Sequence, residues 1–220
     1  KDILALAHER GLDSLQALLD ITPLIRTIGE IADHKKVLNP PFNRIILASQ
    51  DEELHFFARY PESSLSLKYS SHFHIIATWE DLEFALRATS ALPPFFPGVK
   101  RDGKIYSDPG SLNSFPAEYL FDAGCDTVFA FVKDTTTPMQ ERNIFERTLA
   151  EMEKPSRQNF RTLREQAQAR ASFEGKKLYI ITQQPPHPEL YFLATSPAAI
   201  DYAEQVEEKA MREFLKTLQL

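Results

Sequence analysis

Cysteine is almost absent from this 220-residue sequence, in which Cys125 is the only one. One thiol cannot form an internal disulfide, and it cannot supply a cysteine-based zinc site. Positive charge is also in deficit, because 25 Lys and Arg residues face 31 Asp and Glu residues and the formal net charge is −6. This balance argues against a nucleic-acid partner, which a protein holds mainly through basic contacts to phosphates.

Glycine and long hydrophobic runs are scarce as well. The seven glycines include no pair four residues apart, so the sequence has no Gly-x-Ser-x-Gly motif and no glycine-rich oxyanion loop. It contains no apolar run of about eighteen residues and therefore predicts no transmembrane helix. The apolar fraction of 43% and the 16 phenylalanines nevertheless suffice for one or two globular domains with a real core.

Helical and strand patterns alternate along the chain, which is typical of α/β layers. Short apolar runs predict strands, the first and fourth of the kind covered on both faces, at residues 44–49, 54–58, 73–77, 127–132 and 177–182. Helical patterns lie at residues 3–19 in two pieces, 22–39, 78–89, 116–124, 139–171 in two pieces broken at Pro155, and from Ser196 onward. Thr78 and Asp81, three residues apart, approximate a capping box at the start of the helix predicted at residues 78–89. The serine-rich stretch at residues 61–71 is predicted to be a surface loop, and residues 183–188 a proline-rich connector.

A hairpin signal leads directly to the most informative carboxylate. Asp102-Gly103 predicts a type I′ turn between two short strands, and the second strand runs into Asp108. A carboxylate at such a strand end is held rigidly yet open to a cleft, as a catalytic base requires. Asp-Pro-Gly is also a favoured β-turn, in which the Asp side chain accepts backbone amides. From the residues alone both interpretations of Asp108 stay open.

Five short motifs follow one another within about forty residues. They are Ala88-Thr89-Ser90-Ala91-Leu92-Pro93, Phe96-Pro97, Tyr106-Ser107-Asp108-Pro109-Gly110, Asn113-Ser114-Phe115-Pro116 and Ala123-Gly124-Cys125-Asp126. In this order they resemble the patatin-like phospholipase family. The resemblance implies a patatin-like layered sheet with flanking helices. Residues 1–134 would form the C-terminal part of that α/β domain, and residues 135–220 a helical tail with one or two strands packing on it, similar to the extra segment of some bacterial members.

The resemblance also implies a function, namely hydrolysis of phospholipids or other acyl esters by a Ser–Asp dyad without a cofactor. Asp108 takes the position of the general base. The family's nucleophile and oxyanion loop lie farther upstream of the aspartate than Lys1 does, so we expect this chain to begin after them. We therefore expect a bacterial serine esterase of lipid degradation. It would lie in the cytoplasm or in peripheral contact with a membrane.

Pro109 departs from the family's pattern, because it replaces the first glycine after the aspartate. Proline fixes φ near about −65°, removes an amide and pushes the preceding residue toward extended angles. If a positive φ or an amide at this position aims the carboxylate, the variant is weakened. A turn with proline at its second position tolerates it. The alternative hypothesis is therefore a catalytically inactive patatin-like scaffold that binds lipid or a protein partner.

Other chemistry-bearing residues favour structural roles. His72 and His74 share one face of a predicted strand, and His55 could join them, but a core or edge histidine pair is favoured over a metal site. Cys125 is predicted to be a small buried residue rather than a nucleophile. The serines around residues 63–71 are interpreted as loop polarity, and the Arg- and Glu-rich stretch near residues 142–170 as a solvated helix face rather than an anionic-lipid patch.

Overall fold

The computed structural model describes residues 20–60, 64–93, 95–133 and 144–183, together with Arg212 and Lys216. The helices predicted at residues 3–19, the start of the helix predicted from Ser196 and most of the connector after Gln183 lie outside these ranges. Within the described part of the chain, no helix is both long and apolar enough to cross a membrane.

The fold is mixed α/β, as predicted, but its sheets are small. Among the described residues the helices are α1 Thr22–Ile31, α2 His34–Leu38, α3 Ser64–Lys68, α4 Trp79–Thr89, α5 Ala117–Asp122 and α6 Ile144–Glu174. The strands are β1 Ile45–Gln50, β2 Glu53–Ala58, β3 Phe73–Ile75, β4 Val99–Arg101, β5 Lys104–Tyr106, β6 Thr127–Lys133 and β7 Lys177–Gln183. Short 3-10 turns occupy Ser70–His72 and Pro109–Ser111.

The first sheet has three strands in the order β1-β2-β3. β1 and β2 are antiparallel and meet at a two-residue turn, Asp51-Glu52, whose φ angles are 49° and 64°. β1 was predicted to be covered on both faces, and each of its residues is buried or half-buried. Its hairpin with β2 was not predicted, because the turn carries no glycine or proline and the sequence shows no turn signal there.

β3 then pairs with β2 in parallel, with Phe57 opposite His74. The connection between them was predicted to be a surface loop at residues 61–71, which is wrong for its described part. Residues 64–68 form α3, and Leu65 within it is completely buried. The buried leucine distinguishes this segment from the exposed loop that its serine-rich composition predicts.

The other sheets each contain two strands. β4 and β5 form the predicted hairpin, with φ of 51° at Asp102 and 75° at Gly103. β6 and β7 are parallel, and α6 lies between them in the chain. The predicted break at Pro155 is wrong, because α6 continues through that proline. Farther along the helix, Ala167 and Ala171 are buried in a core.

Two compact units make up the described chain. The first contains the described residues up to Ser114 with Asp122–Gly124, and the second contains Phe115–Phe121 with the described residues from Cys125 onward. The boundary predicted after residue 134 falls between β6 and β7, two strands that pair with each other.

The core of the first unit positions the candidate site. α4 starts at a capping box, as predicted, in which the Thr78 hydroxyl accepts from the Asp81 amide and the Asp81 carboxylate accepts from the Thr78 amide. Its apolar face packs on β1 and the hairpin in a core formed by Ala48, Phe57, Ile76, Leu82, Phe84, Ala85, Ala88 and Tyr106. Tyr106 anchors the end of β5 in this core, two residues before Asp108.

Candidate functional site

The backbone at Asp108 is held from two sides. Ser107 forms an antiparallel bridge with Ser49 at the end of β1, with N–H···O distances of 2.8 and 2.9 Å. The amide of Asp108 donates to the carbonyl of Ala91, just after α4, at 2.9 Å. The aspartate is therefore fixed to two different elements of the first unit before its side chain makes any contact.

The carboxylate of Asp108 caps a short turn. Its Oδ1 accepts from the Gly110 amide at 2.6 Å, and its backbone is extended, with φ −55° and ψ 130°. Pro109 is the first residue of the 3-10 turn, a position where an amide has no partner within the turn. The structure thus accommodates Pro109 without a left-handed residue after Asp108. This is the kind of turn, with proline at its second position, that accepts proline without backbone strain.

Residue 110 must be a glycine because the Asp108 carboxylate lies so close to its backbone. A Cβ atom at this position would lie 2.8 Å from Oδ1 of Asp108, closer than non-bonded carbon and oxygen atoms tolerate. Any larger residue would push the carboxylate away from the amide that holds it. This role of Gly110 was not predicted, since its only local signal is a glycine two residues after the aspartate.

The electrostatic environment favours a carboxyl group that holds its proton more tightly than usual. Burial raises the pKa of Asp108, and the hydrogen bond from the Gly110 amide opposes this shift without cancelling it.

The buried hydroxyl of Ser49 bonds to the backbone of this site and to Ser107 instead of to the Asp108 carboxylate. It hydrogen-bonds to Oγ of Ser107 at 2.8 Å and donates to the carbonyl of Asp108 at 3.0 Å, so Ser49 positions the backbone of this site.

Two of the five motifs are joined to the Asp108 motif by backbone hydrogen bonds. The bond from Asp108 to Ala91 connects it with the first motif, and the amide of Asn113 donates to the carbonyl of Pro109 at 2.7 Å. Asn113 is also buried, with 8% of its surface exposed. Residues that are close in the sequence pattern therefore also form one local structure around the aspartate.

A second cluster lies on β2 and β3. His55 Nδ1 is 2.8 Å from His74 Nε2, which is the kind of histidine pair that was predicted. His72 Nε2 lies 2.8 Å from Oε2 of Glu53. Glu53 was not among the predicted site residues, although it precedes His55 by two residues on one strand and so shares its face.

The remaining candidates have ordinary contacts. Cys125 is a free thiol of intermediate burial, packed against the core of the second unit, and its amide donates to Leu120. Ser71 Oγ lies 3.3 Å from His72 Nδ1. Arg170 forms an ion pair with Glu174 at 2.7 Å on α6. Ser63 and Arg142 lie outside the described residues.

Comparison with known proteins gives no assignment. No protein-family model matches this sequence, and no curated protein matches it significantly. A functional argument for this chain therefore depends on the geometry of its own residues.

Proposed function

We propose that this chain belongs to a patatin-like serine acyl hydrolase in which Asp108 is the general base. The observation that carries the proposal is the Asp108 carboxyl group, half-buried at the end of β5 and held on one oxygen by the Gly110 amide. A general base must be rigidly placed and must bind a proton more readily than a solvated carboxylate does. The raised pKa and the fixed backbone of Asp108 meet both requirements.

The proposed reaction is acyl transfer to a serine that the resemblance places outside these 220 residues. The serine oxygen bonds to the acyl carbon of a phospholipid or another ester, and its proton passes to Oδ2 of Asp108, since Oδ1 accepts from Gly110. The departing alcohol takes this proton. Water then attacks the acyl-serine, gives its proton to Asp108, and the serine recovers it as the fatty acid leaves.

The segment after Ala91 is proposed to contribute to an acyl-binding surface. Leu92 is partly exposed, and its carbonyl accepts from the amides of Phe95 and Phe96 at 2.8 and 2.9 Å. These bonds hold an apolar, proline-containing loop next to the residue that binds the Asp108 amide. An apolar rim beside a polar catalytic group suits an ester with a long acyl chain and a peripheral contact with lipid surfaces.

Replacement of Asp108 by asparagine tests the role of the carboxylate. In the protein as expressed from its gene, Asp108→Asn is expected to lower ester hydrolysis at least about 10²-fold, because the amide cannot accept the serine proton. The measurement is release of a fluorescent alcohol or fatty acid from ester and phospholipid substrates. Circular dichroism of the variant should match that of the parent protein.

Asp102→Asn is the matched control. It makes the same isosteric change in the hairpin that precedes Asp108, at an exposed turn residue whose φ of 51° asparagine adopts readily. We expect it to retain full turnover. Unchanged turnover in Asp108→Asn would refute the proposed base.

One observation favours the second candidate, a catalytically inactive scaffold. The Gly110 amide and the 3-10 turn account for the Asp108 carboxylate as a cap, without any chemistry. An activated serine is needed for labelling by a fluorophosphonate probe. Binding of the natural protein to phospholipid vesicles without any labelling would select the scaffold, whereas labelling that Asp108→Asn abolishes would select the hydrolase.

A further inference from the structure

The face of β2 and β3 that carries the histidines brings four polar side chains together. Glu53 and His55 alternate on β2, so they project from the same face of the sheet. His72 directly precedes Phe73, which pairs with Phe56, and His74 pairs with Phe57. The parallel register therefore places His72 and His74 on the face shared by Glu53 and His55.

Three of these side chains offer ligand atoms at short mutual distances. One carboxylate oxygen of Glu53 and one ring nitrogen each of His55 and His72 all lie within 4.8 Å of one another. Tetrahedral ligands at about 2.0–2.1 Å from a zinc ion are about 3.3 Å apart. The pair formed by Glu53 Oε2 and His72 Nε2 is already closer than this, at 2.8 Å. Small side-chain rotations would bring the set to coordination distances.

An independent observation is the unpaired nitrogen of His55. This residue is 2% exposed, and its Nε2 atom is buried and has no hydrogen-bond partner within the described part of the chain. A buried polar atom without a partner is costly, and such atoms are rare in native proteins. Coordination to a metal ion would satisfy it.

His74 supplies the outer contact that such a ligand needs. When His55 Nδ1–H donates to His74 Nε2, the lone pair of His55 stays on Nε2. Metal-binding histidines usually donate their second N–H in this way, which fixes the tautomer.

The charges around the cluster predict a site of moderate affinity. Lys104 and Arg101 lie close enough to disfavour positive charge on the histidines. Glu53 opposes them with a negative charge, and as a ligand it would reduce the charge of a divalent ion to +1. The Glu53 side chain is 60% exposed and that of His72 is 29% exposed, so an ion can enter from solvent.

We propose that Glu53, His55 and His72 form a site for a divalent transition-metal ion of the zinc type. Two imidazoles and one carboxylate suit such an ion, whereas Mg²⁺ and Ca²⁺ prefer oxygen ligands alone. The ion links β2 to the turn that starts β3. The site is independent of Asp108 and of any hydrolytic activity.

Zinc titration of the chelator-treated natural protein tests the proposal. Isothermal calorimetry should show one zinc ion per chain at this site with a dissociation constant in the micromolar range, and no comparable binding of Mg²⁺. Because the chain has six histidines, stoichiometry alone does not assign the site. Long-range ¹H–¹⁵N spectra of the histidine rings should therefore show that the Nε2 resonance of His55 shifts on zinc binding.

The variants Glu53→Gln and His72→Gln remove the two ligands that solvent reaches, without replacing the buried histidine. Each is expected to weaken zinc binding by about tenfold or more, since even loss of an outer partner costs about that much. The matched controls are Glu52→Gln, on the adjacent exposed residue, and His34→Gln, on α2. Both should bind as the parent does. Absence of saturable zinc binding, an unshifted His55 resonance, or equal affinity in His72→Gln would overturn the proposal.

Discussion

Gly110 decides where the Asp108 carboxylate lies. The 2.6 Å hydrogen bond to Oδ1 brings the side chain so close to the backbone that a Cβ atom at residue 110 would stand 2.8 Å from the same oxygen. The glycine is needed for this contact, and its φ is not in the left-handed region. Pro109, beside it, occupies a position that needs no amide.

Gly110→Ala is accordingly expected to turn the carboxylate away while leaving the fold intact. If Asp108 is the base of a hydrolase, turnover should fall by up to about 10²-fold, because misplacement of a reacting group by about 1 Å has that cost. The free energy of unfolding should change by about 1 kcal/mol or less. Ester hydrolysis and urea unfolding measure the two effects.

Gly29→Ala is the control for this substitution. A Cβ atom there meets the Trp79 ring at an ordinary 3.5 Å, so we expect full turnover. Equal turnover in both variants would show that the contact between Gly110 and Asp108 does not matter for activity.

At the scale of single elements, both a cap at its start and packing of its apolar face stabilise α4. Its start is set by the reciprocal bonds between Thr78 and Asp81, and Asp81 Oδ1 also accepts from Arg101 at 3.1 Å, on β4. Its buried residues face the first core. The helix therefore holds β1 and the hairpin that leads to Asp108, and capping and packing act on the same element.

Thr78→Ala should lower the free energy of unfolding by about 1 kcal/mol, the usual cost of a lost N-cap side chain. The variant leaves the amide of Asp81 without its hydroxyl acceptor, 3.2 Å away. Urea or thermal unfolding measures the change. Thr89→Ala, at the other end of α4, is the control and should cost less than about 0.5 kcal/mol. Equal losses in the two variants would contradict a specific capping effect.

At the scale of the whole molecule, a neutral buried histidine connects stability to pH. Burial lowers the pKa of His55 to about 4, followed by the effects of His74, His72 and Lys104, while Glu53 acts in the opposite direction. Below the ordinary pKa of histidine, 6.5, His55 takes up a proton in the unfolded chain but not in the folded chain. The stability from this residue is therefore complete above about pH 6.5 and is lost as the pH falls toward 4.

His55→Phe should reduce the acid sensitivity of the fold within this window. The shift from 6.5 to about 4 corresponds to a contribution on the order of 3 kcal/mol, measured by urea unfolding at several pH values with a chelator present. Phe57→Leu is the control, since it alters the same core without changing a titratable group and should lower stability equally at every pH. Parallel curves for the parent and His55→Phe would disprove the effect.

The features that sequence analysis predicted well depend on neighbours within a few residues. The Asp102-Gly103 turn, the capping box at Thr78 and the strand at Lys177–Gln183 are all present. The β1–β2 hairpin was missed because Asp51-Glu52 is not a typical turn pair, although aspartate tolerates a positive φ. α3 was missed because only the burial of Leu65 distinguishes it from a loop. The prediction that β6 is covered on both faces is wrong, because Phe129 is 45% exposed on one side of the strand while Val128 is buried on the other.

The same distinction between local and long-range contacts applies to the two candidate sites. The sequence by itself determined that a carboxylate follows the hairpin and that proline comes after it, since turn chemistry acts over two or three residues. Only the tertiary structure decided that the Asp108 amide binds Ala91 and that Glu53 meets His72 across nineteen residues. Such contacts depend on strand register and on packing between distant segments, which no local pattern encodes.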